Sequence, residues 1–257
     1  MIVGYLMPHP PLLVMDGNDS NTKATRVACT NIGKKIDMIN PQVIIVITPH
    51  NVIYNDYFHI APKNSAIGDF KRFGSTYSME VKYDEELSNE IVKVCKKNNI
   101  NAGFLGEKDK KLDHGIMVPL SFIKMRNIVN VSISGLSIEE HYEFGKAIKE
   151  SLLNLERKFI VIASGDMSHK LRKDGPYGYV KEGEIFDDAL CNCLKKNEVS
   201  KIFNIESTIV SKACECGYKS LAVLLGVLAD EDIKSEVLAY EKPYGVGYLT
   251  VSFESMK

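Results

Sequence analysis

The chain lacks an excess of charge of either sign: 32 Lys and Arg stand against 33 Asp and Glu, for a net charge of -1 and a pI near 6.6. Basic residues never run beyond pairs such as Lys96-Lys97 and Lys110-Lys111, so there is no electrostatic footprint for nucleic acid. Long hydrophobic runs are missing too. Nothing approaches the roughly 20 apolar residues that cross a bilayer. The opening MIVGYLMPHPP has neither the basic region nor the long apolar region of a secretion signal. These absences predict a cytoplasmic protein that binds neither nucleic acid nor membrane. Internal repeats, low-complexity linkers and breaks in composition are also lacking. With 45% hydrophobic and 25% charged residues, an ordinary soluble balance, the economical reading is one domain over residues 1–257.

Cysteine is sparse, six residues at positions 29, 95, 191, 193, 214 and 216, and in a reducing cytosol these are expected as thiols. The pairs Cys191-Asn192-Cys193 and Cys214-Glu215-Cys216 do not have the spacing of structural zinc, whose first ligands usually lie about two to four residues apart on a turn. A spacing of one on a helix points the two sulfurs apart.

What the chain does have is a set of apolar strands that end in histidine. Val43 to His50, VIIVITPH, is apolar without alternation and rich in β-branched residues. That is the pattern of a strand buried on both faces of a parallel sheet. Pro49 ends it by removing a ladder donor. Ile2 to Met7 reads as a first strand closed by Pro8-His9-Pro10-Pro11, and Phe159 to Ala163 as another, closed by Ser164-Gly165-Asp166-Met167-Ser168-His169. Between the first two, Thr22 to Ile39 has helical spacing, which makes a right-handed βαβ unit.

Further on, helices are expected at Asp84–Asn98, at Ser137–Leu155 behind a Ser137/Glu140 capping box, at Glu184–Lys196 and at Glu215–Leu228. Strands are expected near 57–61, 77–81, 102–105, 128–133, 233–239 and 248–253, and polar loops at 16–21 and 106–113. The fold class is therefore α/β, a single domain with a central mostly parallel or mixed sheet flanked by helices.

Four of the six histidines, His9, His50, His114 and His169, fall in loops at or near strand ends. His59 and His141 fall inside a strand and a helix, where a structural or surface role is expected. If the strands before His9, His50 and His169 are parallel neighbours, their carboxyl ends share one mouth of the sheet, where ligands bind in such folds. Several neutral imidazoles together usually serve a metal, or proton transfer beside one. Two histidines and one carboxylate leave about half of an octahedral shell open, as non-haem Fe(II) needs for substrate and oxygen. Among the acidic residues, Glu215 is the best third donor, because an acid facing an apolar interior is costly unless paired or bound to a cation.

Pro8-His9-Pro10-Pro11, Thr48-Pro49-His50, Asp113-His114-Gly115, Ser164-Gly165-Asp166-Met167-Ser168-His169 and Glu215-Cys216-Gly217, in that order across nearly the whole chain, resemble the catalytic chains of the class III extradiol ring-cleavage dioxygenase family. The resemblance extends to its Memo-like relatives and looks nearest to the bacterial branch associated with AMMECR1 domains. It implies that His9, His50 and Glu215 bind Fe(II), that His169 is the acid/base residue, and that His114 orients substrate or oxygen by hydrogen bonding. The implied substrate is a small catechol-like aromatic diol, opened with O2. In Memo-like members a cysteine takes the third ligand position, so Cys216 stands as the alternative to Glu215. Side chains adjacent on a helix point about 100° apart, so only one of the two is expected to bind, and a thiolate would favour copper or zinc. The other functions that the resemblance and the histidines leave open are an accessory metal-binding protein working with AMMECR1-like and radical-SAM partners, and a zinc hydrolase. Relatives are often multimers, so a homo-oligomer is expected, with the Tyr-rich loops at 177–179 and 244–248 as contact surfaces.

Overall fold

A computed structural model describes residues 3–15, 19–61, 64–106, 111–124 and 127–256. The loops expected at 16–21 and 106–113 lie partly outside them. In chain order the elements are β1 (Val3–Met7), α1 (Lys23–Ile39), β2 (Val43–Thr48), β3 (Phe58–His59), β4 (Ser65–Asp69), β5 (Ser78–Tyr83), α2 (Glu85–Lys97), β6 (Ala102–Gly103) and α3 (His114–Ser121). They continue with β7 (Asn127–Ser132), α4 (Ile138–Asn154), β8 (Phe159–Ser164), α5 (Lys181–Lys195), α6 (Ser207–Ala213), α7 (Tyr218–Val227), β9 (Ile233–Glu241) and β10 (Tyr248–Ser255).

The main sheet is 8-stranded in the order β4-β5-β7-β2-β8-β1-β10-β9. From β5 to β1 every neighbour is parallel, and the outer strands β4, β10 and β9 pair antiparallel. The sheet is thus mixed with a parallel centre, and the strands leading to His50, His169 and His9 are adjacent there, β8 lying between β2 and β1.

The unbroken apolar run of β2 follows from having a core on each side. Val43, Ile45 and Ile47 pack with Phe144, Ile148, Leu221 and Leu224 of α4 and α7, while Ile44 and Val46 pack with Ile32 and Ile36 of α1 and Ile116 of α3. Successive strand residues point to opposite faces, so both classes of position must be apolar. At about 25 cal/mol per Å2 of apolar surface removed from water, these two layers are the main source of stability.

The helix ends carry their expected caps. The Ser137 hydroxyl accepts from the Glu140 amide while the Glu140 carboxylate accepts from the Ser137 amide, completing the capping box of α4. The Asp84 side chain caps α2. Two elements escape the sequence pattern: β4, an edge strand inside a Lys-, Ser- and Gly-rich stretch, and the short α6. The last long helix also starts later than expected, at Tyr218, because Cys214 adopts a left-handed conformation (φ 58°) that breaks the chain direction ahead of it. Glu215 and Cys216 therefore lie in a loop, not on a helix.

Candidate metal centre

The carboxyl ends of β1 and β2 deliver His9 and His50, and α3 begins at His114 across from them. Ligand nitrogens of His9, His50 and His114 all lie within 4.8 Å of one another, a grouping that among the described residues no other His, Cys, Asp or Glu joins under that criterion. The rings pack edge-on and stacked, with His9–His50 centroids 4.7 Å apart and His50–His114 centroids 4.3 Å apart. This proximity depends on Gly115, where a Cβ would stand 2.5 Å from Thr48 Oγ1 and 2.8 Å from Asp113 Oδ1. The Asp113 carboxylate in turn accepts from Thr48 Oγ1 at 2.9 Å and from the Ile116 amide at 3.2 Å, tying the start of α3 to the end of β2.

Hydrogen bonding sets the tautomers. The single Ser164 hydroxyl proton goes to the Gly115 carbonyl, so Ser164 Oγ must accept from His9 Nδ1, 2.9 Å away. A neutral His9 then has a bare lone pair on Nε2. That atom faces His50 Nε2 at 3.0 Å and Cys216 Sγ at 3.5 Å. At His114 the order is reversed. Its Nδ1 lies 3.3 Å from Arg72 Nη2, and a guanidinium only donates, so Nδ1 accepts and the proton sits on Nε2. His9 thus presents an acceptor on Nε2, whereas His114 presents a donor.

Two glycines bring the cysteine in. A Cβ on Gly165 would lie 2.1 Å from the Gly217 Cα, so only bare backbones allow the strand end of β8 and the loop before α7 to touch. The amides of Cys216 and Gly217 both donate to the Asp166 carbonyl, at 3.2 and 2.9 Å. The Asp166 amide faces Cys216 Sγ at 3.3 Å, and the Asp166 carboxylate accepts from the His9 amide at 3.0 Å. Glu215, one residue earlier, is half-buried and engaged elsewhere: its carboxylate accepts from the Tyr218 amide at 2.6 Å, at the start of α7. The structure brings Cys216 to His9 and does not bring the Glu215 carboxylate to the histidines. Glu215 and Cys216 stand at a bend ahead of α7, and the free amides of that helix start attract the acid.

His169 follows the same sheet edge, its amide donating to the Ala213 carbonyl and its ring 5.1 Å from the ring of Tyr177. Its Nε2 is buried without a hydrogen-bond partner. His59 and His141 lie away from this group. His141 is buried, accepting from the Ser134 amide on Nε2 and facing the Ser137 carbonyl with Nδ1, a structural role.

Electrostatics keep the site neutral. Burial holds His9 well below the ordinary imidazole value, with His50, His114 and His169 adding to the effect, and burial pushes His50 and His114 down to about 4. Burial also lowers His169. The same cause raises the acids, Asp113 to about 6 and Asp166 and Glu215 to about 7, and lifts the Cys216 thiol well above its usual value. A group of neutral imidazoles, His9 buried, His114 half-buried and His50 reaching solvent, is one that a cation would bring together. The facing nitrogens fit one: two imidazoles at about 2.0–2.1 Å from a first-row cation stand about 3 Å apart.

Comparison with known proteins agrees with the class that this α/β sheet and its histidine edge define, and adds the family. The chain belongs to the family described as the catalytic LigB subunit of aromatic ring-opening dioxygenase, whose model matches residues 3–251. It is 38% identical over 266 residues to Protein CA_C1420 of Clostridium acetobutylicum, an alignment covering 98% of this chain but 57% of that protein. The chain thus spans little more than half the length of that relative. A more distant relative is the 2-aminophenol 1,6-dioxygenase beta subunit of a Pseudomonas species, 22% identical over 295 residues, covering 100% of this chain and 95% of that relative. The fold matches the crystal structure of uncharacterized protein JW3007 from Escherichia coli K12 at a TM-score of 0.68 and 18% identity, over 98% and 99% of the two chains. Among the described residues, no helix is long and apolar enough to cross a membrane.

Proposed function

We propose that this protein is a metal-dependent oxidoreductase that opens the ring of a small aromatic diol or aminophenol with O2. His9, His50 and Cys216 hold the metal, His169 acts as acid/base, and His114 is the hydrogen-bond donor to substrate or oxygen. The observation that carries the reading is the lone pair on His9 Nε2, which Ser164 forces to face His50 Nε2 at 3.0 Å. Membership of the ring-opening dioxygenase family supports it, as does the name of the Pseudomonas relative.

Iron(II), when bound, supplies an electron path between an electron-rich ring and oxygen held beside it. The chain's own residues do the rest. His169, kept neutral by burial and with Nε2 unpaired, takes the proton of a substrate hydroxyl and returns it as the ring opens. His114 donates from Nε2 because Arg72 occupies its Nδ1 side. Gly165 and Asp166, in the loop that carries His169, pack and hydrogen-bond against the separate segment that carries Cys216. One ring C–C bond breaks, both atoms of O2 enter the product, and the electrons come from the diol, so no further reductant is required.

Cys216 supports a second reading. A thiolate donor suits zinc or copper as well as iron, which fits a Memo-like metal-binding accessory protein acting with an AMMECR1-like partner and a radical-SAM enzyme, without ring cleavage. Metal analysis of anaerobically purified protein, followed by O2 uptake with catechol and 2-aminophenol, separates the two. Iron with ring-opened product is expected; tight zinc or copper with no uptake would sink the first reading.

A further inference from the structure

The residue ahead of His169 is held from several sides. Ser168 is fully buried. Its carbonyl accepts from the Gly247 amide at 2.8 Å, and its hydroxyl donates to the Ala213 carbonyl at 3.0 Å while accepting from the Lys170 amide at 3.1 Å. Those partners are all main chain. The Ser168 amide instead donates to a side chain, Asp187 Oδ1 of α5, at 2.8 Å. The buried face of α5 is otherwise Gly183, Phe186, Leu190, Cys191 and Leu194, so Asp187 is its polar exception. It is 1% exposed, and its second oxygen accepts from the Tyr240 hydroxyl of β9 at 2.7 Å. Two glycines shape the socket. A Cβ on Gly183, one turn before Asp187 on the same side of the helix, would stand 2.4 Å from Ser168 Oγ, and one on Gly247 would stand 2.2 Å from Asp187 Oδ2. A carboxyl group out of water is costly unless its oxygens are hydrogen-bonded, and here one of the two bonds goes to the segment that carries His169.

We infer that Asp187 is a positioning residue for His169: by gripping the Ser168 amide it fixes where the neighbouring imidazole stands at the sheet edge. The inference rests on the proposed function for the task of His169, but the grip stands on its own geometry. The His169 ring meets the ring of Tyr177 at 5.1 Å and its Nε2 has no hydrogen-bond partner, so its place follows the backbone that carries it. That backbone is tied at Ser168 and, through the His169 amide, to the Ala213 carbonyl at 3.2 Å. The grip needs an acceptor and not a charge. Burial pushes Asp187 up to about 7, and an amide oxygen accepts from a backbone N–H as a carboxyl oxygen does. A proton-transfer group misplaced by about 1 Å can lose about a hundredfold in rate. Ligands on other segments hold the metal, so the loss belongs to kcat and not to KM or metal content.

The test compares Asp187→Ala, Asp187→Asn and Gly183→Ala with the unaltered protein. Bound metal is measured, then kcat and KM by O2 uptake with catechol and 2-aminophenol, and last the rate at which diethyl pyrocarbonate modifies each histidine, read by peptide mass spectrometry. Asp187→Ala should keep its metal and lower kcat about tenfold or more with KM within about twofold. His169 should be modified severalfold faster, while the buried His59 and His141 keep their rates. Asp187→Asn should restore both kcat and the protection of His169. Gly183→Ala, which keeps the carboxyl group but pushes on Ser168 Oγ, should reproduce the loss, and it carries the comparison if Asp187→Ala does not fold. Unchanged kcat and unchanged His169 modification overturn the inference. So does a failure of Asp187→Asn to rescue, or faster modification of His59 and His141 as well, which would make Asp187 a general folding residue. If the unaltered protein turns over neither substrate, the ring-opening reading fails and the histidine rates alone decide: faster modification confined to His169 upholds the grip, and equal rates remove it.

Discussion

At the scale of single residues, the contrast between Glu215 and Cys216 decides the most. The sequence points to Glu215 as third donor on the ground that a buried acid needs a cation; the structure supplies that partner as the Tyr218 amide. Two substitutions separate the roles. Cys216→Ser is expected to lower bound metal at least severalfold by inductively coupled plasma analysis. Glu215→Gln, which keeps an acceptor for the Tyr218 amide, should leave metal content near one per chain and cost no more than about 0.3–1 kcal/mol, the size of a lost charge at a helix start. Metal loss in Glu215→Gln alone would restore the carboxylate as ligand.

His169→Ala should abolish turnover with metal retained. Because burial lowers the pKa of His169, the acid limb of kcat/KM should fall below pH 6.5 and not near neutrality. His141 yields a folding signature. Burial pushes it down to about 4 from 6.5, so its contribution is complete above pH 6.5. It is lost as pH falls toward 4, where the unfolded chain takes up a proton that the folded one refuses. Urea unfolding between pH 6.5 and 4 should weaken by up to about 1.4 kcal/mol per pH unit for this one group. His141→Gln should flatten that slope.

At the scale of elements, the parallel centre is legible in the sequence because a strand with a core on both sides has no polar positions to obscure it, as in β2 and β8. That the histidine-bearing strands are neighbours is only a condition in the sequence; the order β2-β8-β1 meets it. β4 is not legible: an edge strand with one exposed face, burial alternating along Ser65–Asp69, has too little apolar content to stand out from a loop. Nor is the break at Cys214, since a left-handed non-glycine residue leaves no mark in hydropathy. His114 reads as part of a loop entering a helix, and it does begin α3, but its partner Arg72 lies 42 positions away, beyond any local pattern. Gly115→Ala tests this junction. The added methyl collides with Thr48 and Asp113, so α3 must shift, and catalytic turnover should drop about tenfold or more while the far-ultraviolet circular dichroism stays unchanged.

At the scale of the whole molecule, the proposed metal ties the two core layers together through the sheet edge. A ligand present at a thousandfold above its Kd adds about 4 kcal/mol to folding. For a chain of this size that is roughly 8–16 °C in Tm. Chelation should therefore lower Tm by that order in calorimetry, and the loss should be much smaller for Cys216→Ser. A Tm indifferent to chelator would mean that no tight site exists.

The contact of His9 with Cys216 spans 207 residues of sequence. During synthesis the first two histidines leave the ribosome long before the cysteine does, and the glycines that seat it come with them only late. An emerging chain can hold at most a loose, incomplete set of donors, so a metal scavenged early would have nothing to lock it. With the proposed ligands His9, His50 and Cys216, loading would wait until the domain closes, and metal content would then report completed folding.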